Sequence, residues 1–165
     1  MAITFLPVMD ADDISQVASM ADEVYHEHYA GIISDEQIDY MVKEYQSVEA
    51  ITEQIHKAGF DYFMLNNNEC NVGYFAIKME EDRIFISKLY VLKEFRNKGY
   101  AKQAYQFLKG LSEAMDLKHI YLYTHKKNLE TIAMYEKFGL KKVESLVNDF
   151  GNGFVMDDYK MQEDL

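Results

Sequence analysis

Three consecutive aromatic and β-branched runs, residues 61–65, 71–79 and 83–92, limit what this chain can fold into more than any other feature. The turn clusters Asn66-Asn67-Asn68 and Glu80-Glu81-Asp82 separate them, so the middle of the sequence reads as an antiparallel meander. One proline and eight glycines in 165 residues leave no room for a Pro/Gly-rich linker, and a single domain over residues 1–165 is expected. A composition of 48% hydrophobic and 27% charged residues excludes disorder and low-complexity architectures and allows a real core.

Helical spacing stands on both sides of the meander. Residues 3–8 read as a strand that Pro7 confines to an edge. Asp10 caps a helix carrying Ile14, Val17, Ala18, Ala21, Val24 and His28 at helical spacing, with Gly31 at its end. Ser34 and Gln37 form a capping-box pattern opening a second helix to about Glu44, and a third short helix is expected over 48–57, before Gly59. After the meander, Ala101, Ala104, Leu108, Leu111 and Met115 share one stripe of a helix over 100–115, despite Gly110. Residues 119–124 are a strand and 128–138 a helix ended by Gly139; strands at 142–147 and 154–161 are joined by a turn at 148–153. With the short third helix set aside the order is βααβββαβαββ. It implies an α/β (α+β) fold, a mixed and mostly antiparallel sheet of about seven strands flanked by helices, with strand, crossover helix and parallel strand recurring toward the C-terminus.

The net charge of −11 disfavours nucleic acid as a partner. Its distribution is more informative. Residues 1–42 hold no Lys or Arg, whereas Lys88, Lys93, Arg96, Lys98, Lys102 and Lys109 stand against Glu94 alone within residues 88–109. Such a chain can hold an anion at its middle and attract a cation at its front. There is no apolar run of 18 residues and no basic-then-apolar leader, so a soluble, cytoplasmic protein without a membrane partner is expected. Cys70, the one cysteine, excludes an intrachain disulfide and a cysteine-rich zinc site, and reads as a structural thiol. His26 and His28 do not face each other on a helix, and no metal is expected.

The chemistry concentrates at the strand-to-helix junction Leu89-Tyr90-Val91-Leu92-Lys93-Glu94-Phe95-Arg96-Asn97-Lys98-Gly99-Tyr100-Ala101. A tight loop here aims the N–H groups of Asn97 to Ala101 at one spot, and the helix that follows adds its positive dipole end, which makes a diphosphate cradle. Gly99 allows close approach of an oxygen, Ala101 keeps the helix start open, and Arg96 and Lys102 add charge. The pattern is neither G-x-x-x-x-G-K-[ST] nor G-x-G-x-x-G. Further along, Asn128, Thr131 and Tyr135 fall at i, i+3 and i+7 and share one helix face. Asn128 and Tyr135 then sit roughly 10 Å apart, far enough for a long ligand to be gripped at one and reacted at the other.

Together these residues closely resemble the GCN5-related N-acetyltransferase (GNAT) superfamily. The match runs from the strand Leu89-Tyr90-Val91 through Arg-x-x-Gly-x-Ala to Asn128, Tyr135 and Gly139, in order and spacing, over residues 83–140. The resemblance implies acetyl-coenzyme A as co-substrate, with its pyrophosphate on Asn97, Lys98, Gly99, Tyr100 and Ala101, its pantetheine along Leu89, Tyr90 and Val91, and a further contact from Asn128. It implies Tyr135 as general acid. Thr131 and Leu140 replace the Ala and Phe common in the family, both mild departures.

An alkylammonium, with a pKa near ~10, must lose a proton before attacking a thioester. A backbone N–H near Tyr90 and Val91 would stabilise the oxyanion, and a phenol at Tyr135 would protonate the departing thiolate without an acyl-enzyme. Tyr135 also reads as a packed helix aromatic in a chain with 13 tyrosines, and Asn128 as a helix cap. The base stays open. The fourth strand, residues 83–88, offers no acid, which leaves a water relay, His125, or one of Asp157 and Asp158, of which strand alternation sends only one inward. By the resemblance, the first two helices and the last hairpin shape the acceptor pocket, making His26, Tyr29, His125 and Asp157 acceptor-side candidates. The expected acceptor is a small cationic amine, a polyamine or an aminoglycoside-like compound. A protein or peptide amine, at an N-terminus or a lysine, and a non-catalytic acyl-CoA-binding module are the alternatives. Many members of the family pair as homodimers, but the sequence marks no interface.

Overall fold

In the computed structural model, which describes residues 2–165, the elements follow as β1 (Thr4–Pro7), α1 (Ala11–His28), α2 (Asp35–Tyr45), α3 (Val48–His56), β2 (Phe60–Asn66), β3 (Asn71–Glu80), β4 (Arg83–Val91), a 3-10 turn (Lys93–Phe95), α4 (Tyr100–Ala114), β5 (His119–His125), α5 (Leu129–Phe138), β6 (Lys141–Gly151) and β7 (Phe154–Asp164). Seven strands and five helices thus carry the α/β fold, and the short third helix belongs in the order. The chain gathers into two compact units, one running through Lys78 and including Lys88–Ala104, the other Met79–Ser87 with Tyr105–Leu165.

The first unit has strand order β1-β2-β3-β4. β1 and β2 are antiparallel with Thr4 opposite Asn66, and β2 and β3 with Phe60 opposite Lys78. Pro7, lacking an N–H, ends the edge strand, where no further ladder bond is required of it. Asp10 then starts α1 through a reciprocal box: its carboxylate accepts from Asp13 N–H at 2.9 Å while Asp13 accepts from the Asp10 N–H. Ser34 and Ser47 cap α2 and α3 by accepting from Gln37 N–H at 3.1 Å and Ala50 N–H at 3.2 Å. α1 buries Ile14, Val17, Met20, Ala21 and Val24 against Ile51 of α3 and Tyr62, Met64, Tyr74 and Ala76 of β2 and β3. Each fully buried aliphatic here contributes about 1.5–3 kcal/mol by leaving water. Inside the same unit Gln46 is 1% exposed and satisfied on both sides, accepting from Tyr74 OH at 2.6 Å and donating to Tyr62 OH at 2.9 Å.

The second unit has order β4-β5-β7-β6. β4 and β5 are parallel, Arg83 opposite His119, across the α4 crossover. The expected recurrence holds through α5: β7 lies between β5 and β6 and pairs antiparallel with both, so β6 runs parallel to β5 without being its neighbour. The last hairpin is longer than expected. Residues 148–151 read as turn by composition, yet Asn148, Asp149 and Gly151 pair with Met156, Val155 and Phe154 of β7, and reversal is left to Asn152 and Gly153 at φ 53° and 80°. On α4 the expected stripe holds at Ala104 and Leu108, but Met115 lies beyond the helix end and is 49% exposed, while Tyr105 and Ser112 are buried instead. Burial of the Ser112 hydroxyl is tolerated because it donates to the Leu108 carbonyl at 2.8 Å.

Candidate active site

The loop after β4 is shaped by its backbone. Leu92 N–H donates to the Val72 carbonyl at 2.8 Å, the 3-10 turn follows, and Arg96 returns to extended backbone. Asn97 at φ 63° and Gly99 at φ 81° then bend the chain twice through left-handed conformations, a geometry in which successive N–H groups face one side. Among the described residues no protein acceptor takes the N–H groups of Gly99, Tyr100 or Ala101, whereas Gln103 N–H already donates to the Gly99 carbonyl. Orphan donors at a helix start suit an anion. Lys98 and Lys102 are exposed, while Tyr100 is buried and offers only its backbone.

Arg96 departs from expectation. Its Nη1 and Nη2 donate to the two oxygens of Glu27 at 2.8 and 2.6 Å, and its Nε donates to the Val91 carbonyl at 3.0 Å. Its charge is therefore neutralised by a carboxylate in the last turns of α1, and this fork holds the Glu27 carboxyl below its ordinary range. Lys98 and Lys102 remain as exposed cations of this segment.

On β4, Leu89 and Val91 are buried and Tyr90 is half-buried. Gly73 of β3 faces this strand, and a Cβ there would collide with the Tyr90 carbonyl oxygen and stand 3.0 Å from Val91 Cα. Only glycine permits that approach. Gly73→Ala is expected to lower stability by about 1–3 kcal/mol, read as a lower urea midpoint, and to weaken donor binding because the displacement falls on residues 90 and 91.

Of the acceptor-side candidates, Tyr29 meets β4, sharing a 2.9 Å hydrogen bond with the Tyr90 hydroxyl and packing at 5.2 Å from the Tyr25 ring. His26 does not. Its Nε2 faces Asp39 of α2 at 2.7 Å and its Nδ1 faces the Asp22 carbonyl at 2.7 Å, so two acceptors hold the imidazolium and raise its pKa. His26 ties α1 to α2, with both ring nitrogens engaged. This cationic contribution is complete below the ordinary histidine pKa and fades as pH rises through the elevated value.

In the second unit, His125 of β5 stands opposite Asp158 of β7 in register, 8% and 5% exposed. Asp158 accepts from Asn148 Nδ2 at 2.8 Å, and burial pushes its carboxyl up. Burial pushes the His125 imidazole down, and its Nδ1 accepts from Lys127 N–H at 3.1 Å, which leaves the ring proton on Nε2. With one nitrogen engaged and the other protonated, His125 has no lone pair to offer. Asp157 points the other way, exposed and 2.8 Å from Lys126 Nζ, which corrects its place among the inward candidates. The phase was hidden because Val155 and Met156 are both apolar, and Asn148 was missed because it read as turn.

Tyr135 is 5% exposed on α5, its ring 6.0 Å from Phe138 in an edge-on contact. Asn128 occupies the N-cap position without a side-chain capping bond, and only its backbone serves the helix: its N–H donates to the His125 carbonyl at 3.0 Å and its carbonyl accepts from Ile132 N–H. The structure thus removes the cap reading of its side chain. Gly139 ends the helix at φ 114°.

The sequence model of the Acetyltransferase (GNAT) family matches residues 22–140. A spermidine N(1)-acetyltransferase of Thermoplasma acidophilum is 23% identical over 146 residues, covering 86% of this chain and 91% of the relative. The fold is similar to the crystal structure of the PaiA N-acetyltransferase of Thermoplasma acidophilum in complex with coenzyme A, with a TM-score of 0.81 at 20% identity, covering 100% of both chains. It is also similar to a chimera of spermidine N-acetyltransferase SpeG from Vibrio cholerae and hSSAT, with a TM-score of 0.69 at 18% identity over 99% of this chain and 95% of the other. Among the described residues no helix is long and apolar enough to cross a membrane.

Proposed function

Because this chain belongs to the GNAT acetyltransferase family and so takes acetyl-coenzyme A as co-substrate, we propose that it acetylates a primary amine on a small cationic molecule of the polyamine class. The observation that carries the acceptor class is charge: residues 1–42, which include α1 and most of α2, hold nine carboxylates and no Lys or Arg. The spermidine acetyltransferase names of two similar proteins support the same class.

The co-substrate supplies an activated acetyl thioester. The backbone N–H groups of Asn97 to Ala101 bind its diphosphate, with Lys98 and Lys102 adding charge, while Leu89, Tyr90 and Val91 line the pantetheine and Asn128 adds a contact. Asp158 takes the proton of the acceptor ammonium, and its raised pKa suits it to that task better than an ordinary carboxylate. The amine attacks the thioester carbon directly, Tyr135 gives its proton to the departing thiolate, and the acetylated nitrogen sheds its second proton to the phenolate so formed. Tyr29, held on Tyr90, contributes to the acceptor side.

A thiol-release assay across linear polyamines, aminoglycosides, a lysine peptide and a peptide N-terminus tests the reading. Turnover is expected to be at least about tenfold faster with polyamines than with either peptide, the margin of one well-placed charge contact. Acetylation of the peptides alone would sink the small-amine reading. Calorimetric binding of acetyl-coenzyme A with no thiol released from any acceptor would point to a binding module instead.

A further inference from the structure

The arginine of the Arg-x-x-Gly-x-Ala loop is not available to an anion in the way its position in the motif suggests. We infer that Glu27, through its two-pronged pair with Arg96, is a positioning residue for the donor loop: it fixes the shape of the loop, while the backbone of residues 97–101 holds the diphosphate. The inference rests on the reading of that loop as the donor site and adds to it a residue in α1, sixty-nine positions away in sequence.

The geometry closes a small ring. Arg96 Nε is bound to the Val91 carbonyl at 3.0 Å, which ties residue 96 back across the 3-10 turn to the last residue of β4. Nη1 and Nη2 reach both Glu27 oxygens at 2.8 and 2.6 Å, which locks the guanidinium plane and hence the direction in which the chain leaves Arg96. The next two bends, at Asn97 and Gly99, start from that direction. Both side chains are about a third exposed, so the pair is dry enough to hold its geometry yet contributes little to global stability. Two residues past Glu27, the Tyr29 hydroxyl bonds Tyr90, giving the end of α1 a second tie to the same strand.

The alternative gives the opposite sign. If Arg96 were an anion ligand held in reserve by Glu27, removing the carboxylate would free the guanidinium and tighten donor binding. Calorimetry of coenzyme A with wild type, Glu27→Gln and Arg96→Lys therefore decides. Both variants are expected to bind about five- to tenfold more weakly, with the KM for acetyl-coenzyme A rising in step and most of kcat retained at saturating donor. Arg96→Lys keeps the cation but cannot make the fork, so an anion ligand would survive that change and a positioning fork would not. Amide hydrogen exchange across residues 92–101 is expected to speed up in both variants relative to wild type. Unchanged or tighter binding in Glu27→Gln overturns the inference, and if that variant does not fold, unchanged binding in Arg96→Lys overturns it equally. Absence of coenzyme A binding by the wild type overturns the donor reading along with it; wild-type binding with an indifferent Glu27→Gln overturns this inference alone.

Discussion

Asp158→Asn is expected to lower kcat toward an alkylamine by about 10²–10⁴-fold, the usual range for losing a positioned base. Asp158 is the one carboxylate among the buried described residues, and its neighbours do little to compensate its charge: Asn148 donates one hydrogen bond, His125 opposite it is neutral, and Lys126 is paired with the outward Asp157. Burial penalises its ionised form, so its folded pKa lies above its unfolded one. The consequence for stability is that the ionised form weakens the fold as pH rises through that interval. Asparagine removes the burden, and Asp158→Asn is expected to leave Tm unchanged or higher while activity collapses. In wild type kcat/KM is expected to climb with pH through the raised carboxyl pKa, and the variant should lose that limb. An acceptor whose amine is already neutral at assay pH needs no base to become a nucleophile, so a weakly basic hydrazine should be acetylated by wild type and variant at comparable rates. An unaltered pH profile with alkylamines would remove Asp158 from the reaction.

Tyr135→Phe is expected to reduce kcat by about 10²-fold or more, the lower end of the general-acid range, while coenzyme A binds with near wild-type affinity. Phenylalanine keeps the ring in its buried position against Phe138, so a purely structural role for Tyr135 predicts almost no change. Steady-state kinetics with a polyamine, set beside calorimetric donor affinity, separates the two, and intact turnover would return Tyr135 to the status of a core aromatic. Because the loss in Asp158→Asn depends on acceptor basicity and the loss in Tyr135→Phe does not, a panel of amines graded by pKa distinguishes the proton taken up from the proton given back.

How much of this was legible in the sequence depended on the distance between the residues concerned. Local signals carried well: Asp10 and Ser34 mark the starts of α1 and α2, Gly139 marks the end of α5, and the aromatic runs place β2, β3 and β4 within a residue or so. Those signals act over three or four residues, where a cap or a turn is its own cause. The Glu27–Arg96 fork was invisible because no local rule pairs an acid in one helix with a base sixty-nine residues later. The phase of β7 was ambiguous because neighbouring Val155 and Met156 are both apolar, so alternation could not say which aspartate turns inward. Asn148 was lost to composition: an Asn-Asp-Phe-Gly-Asn-Gly stretch has every mark of a turn, and cross-strand pairing with β7 overrode it.

The pairing of positions 27 and 96 carries an evolutionary consequence. A descendant that loses the carboxylate keeps a stranded guanidinium after β4, and one that loses the arginine keeps a stray negative charge near the end of α1. Neither intermediate is comfortable, so across a set of homologues the two positions are expected to change in concert, with uncharged pairs replacing charged ones more often than mixed ones.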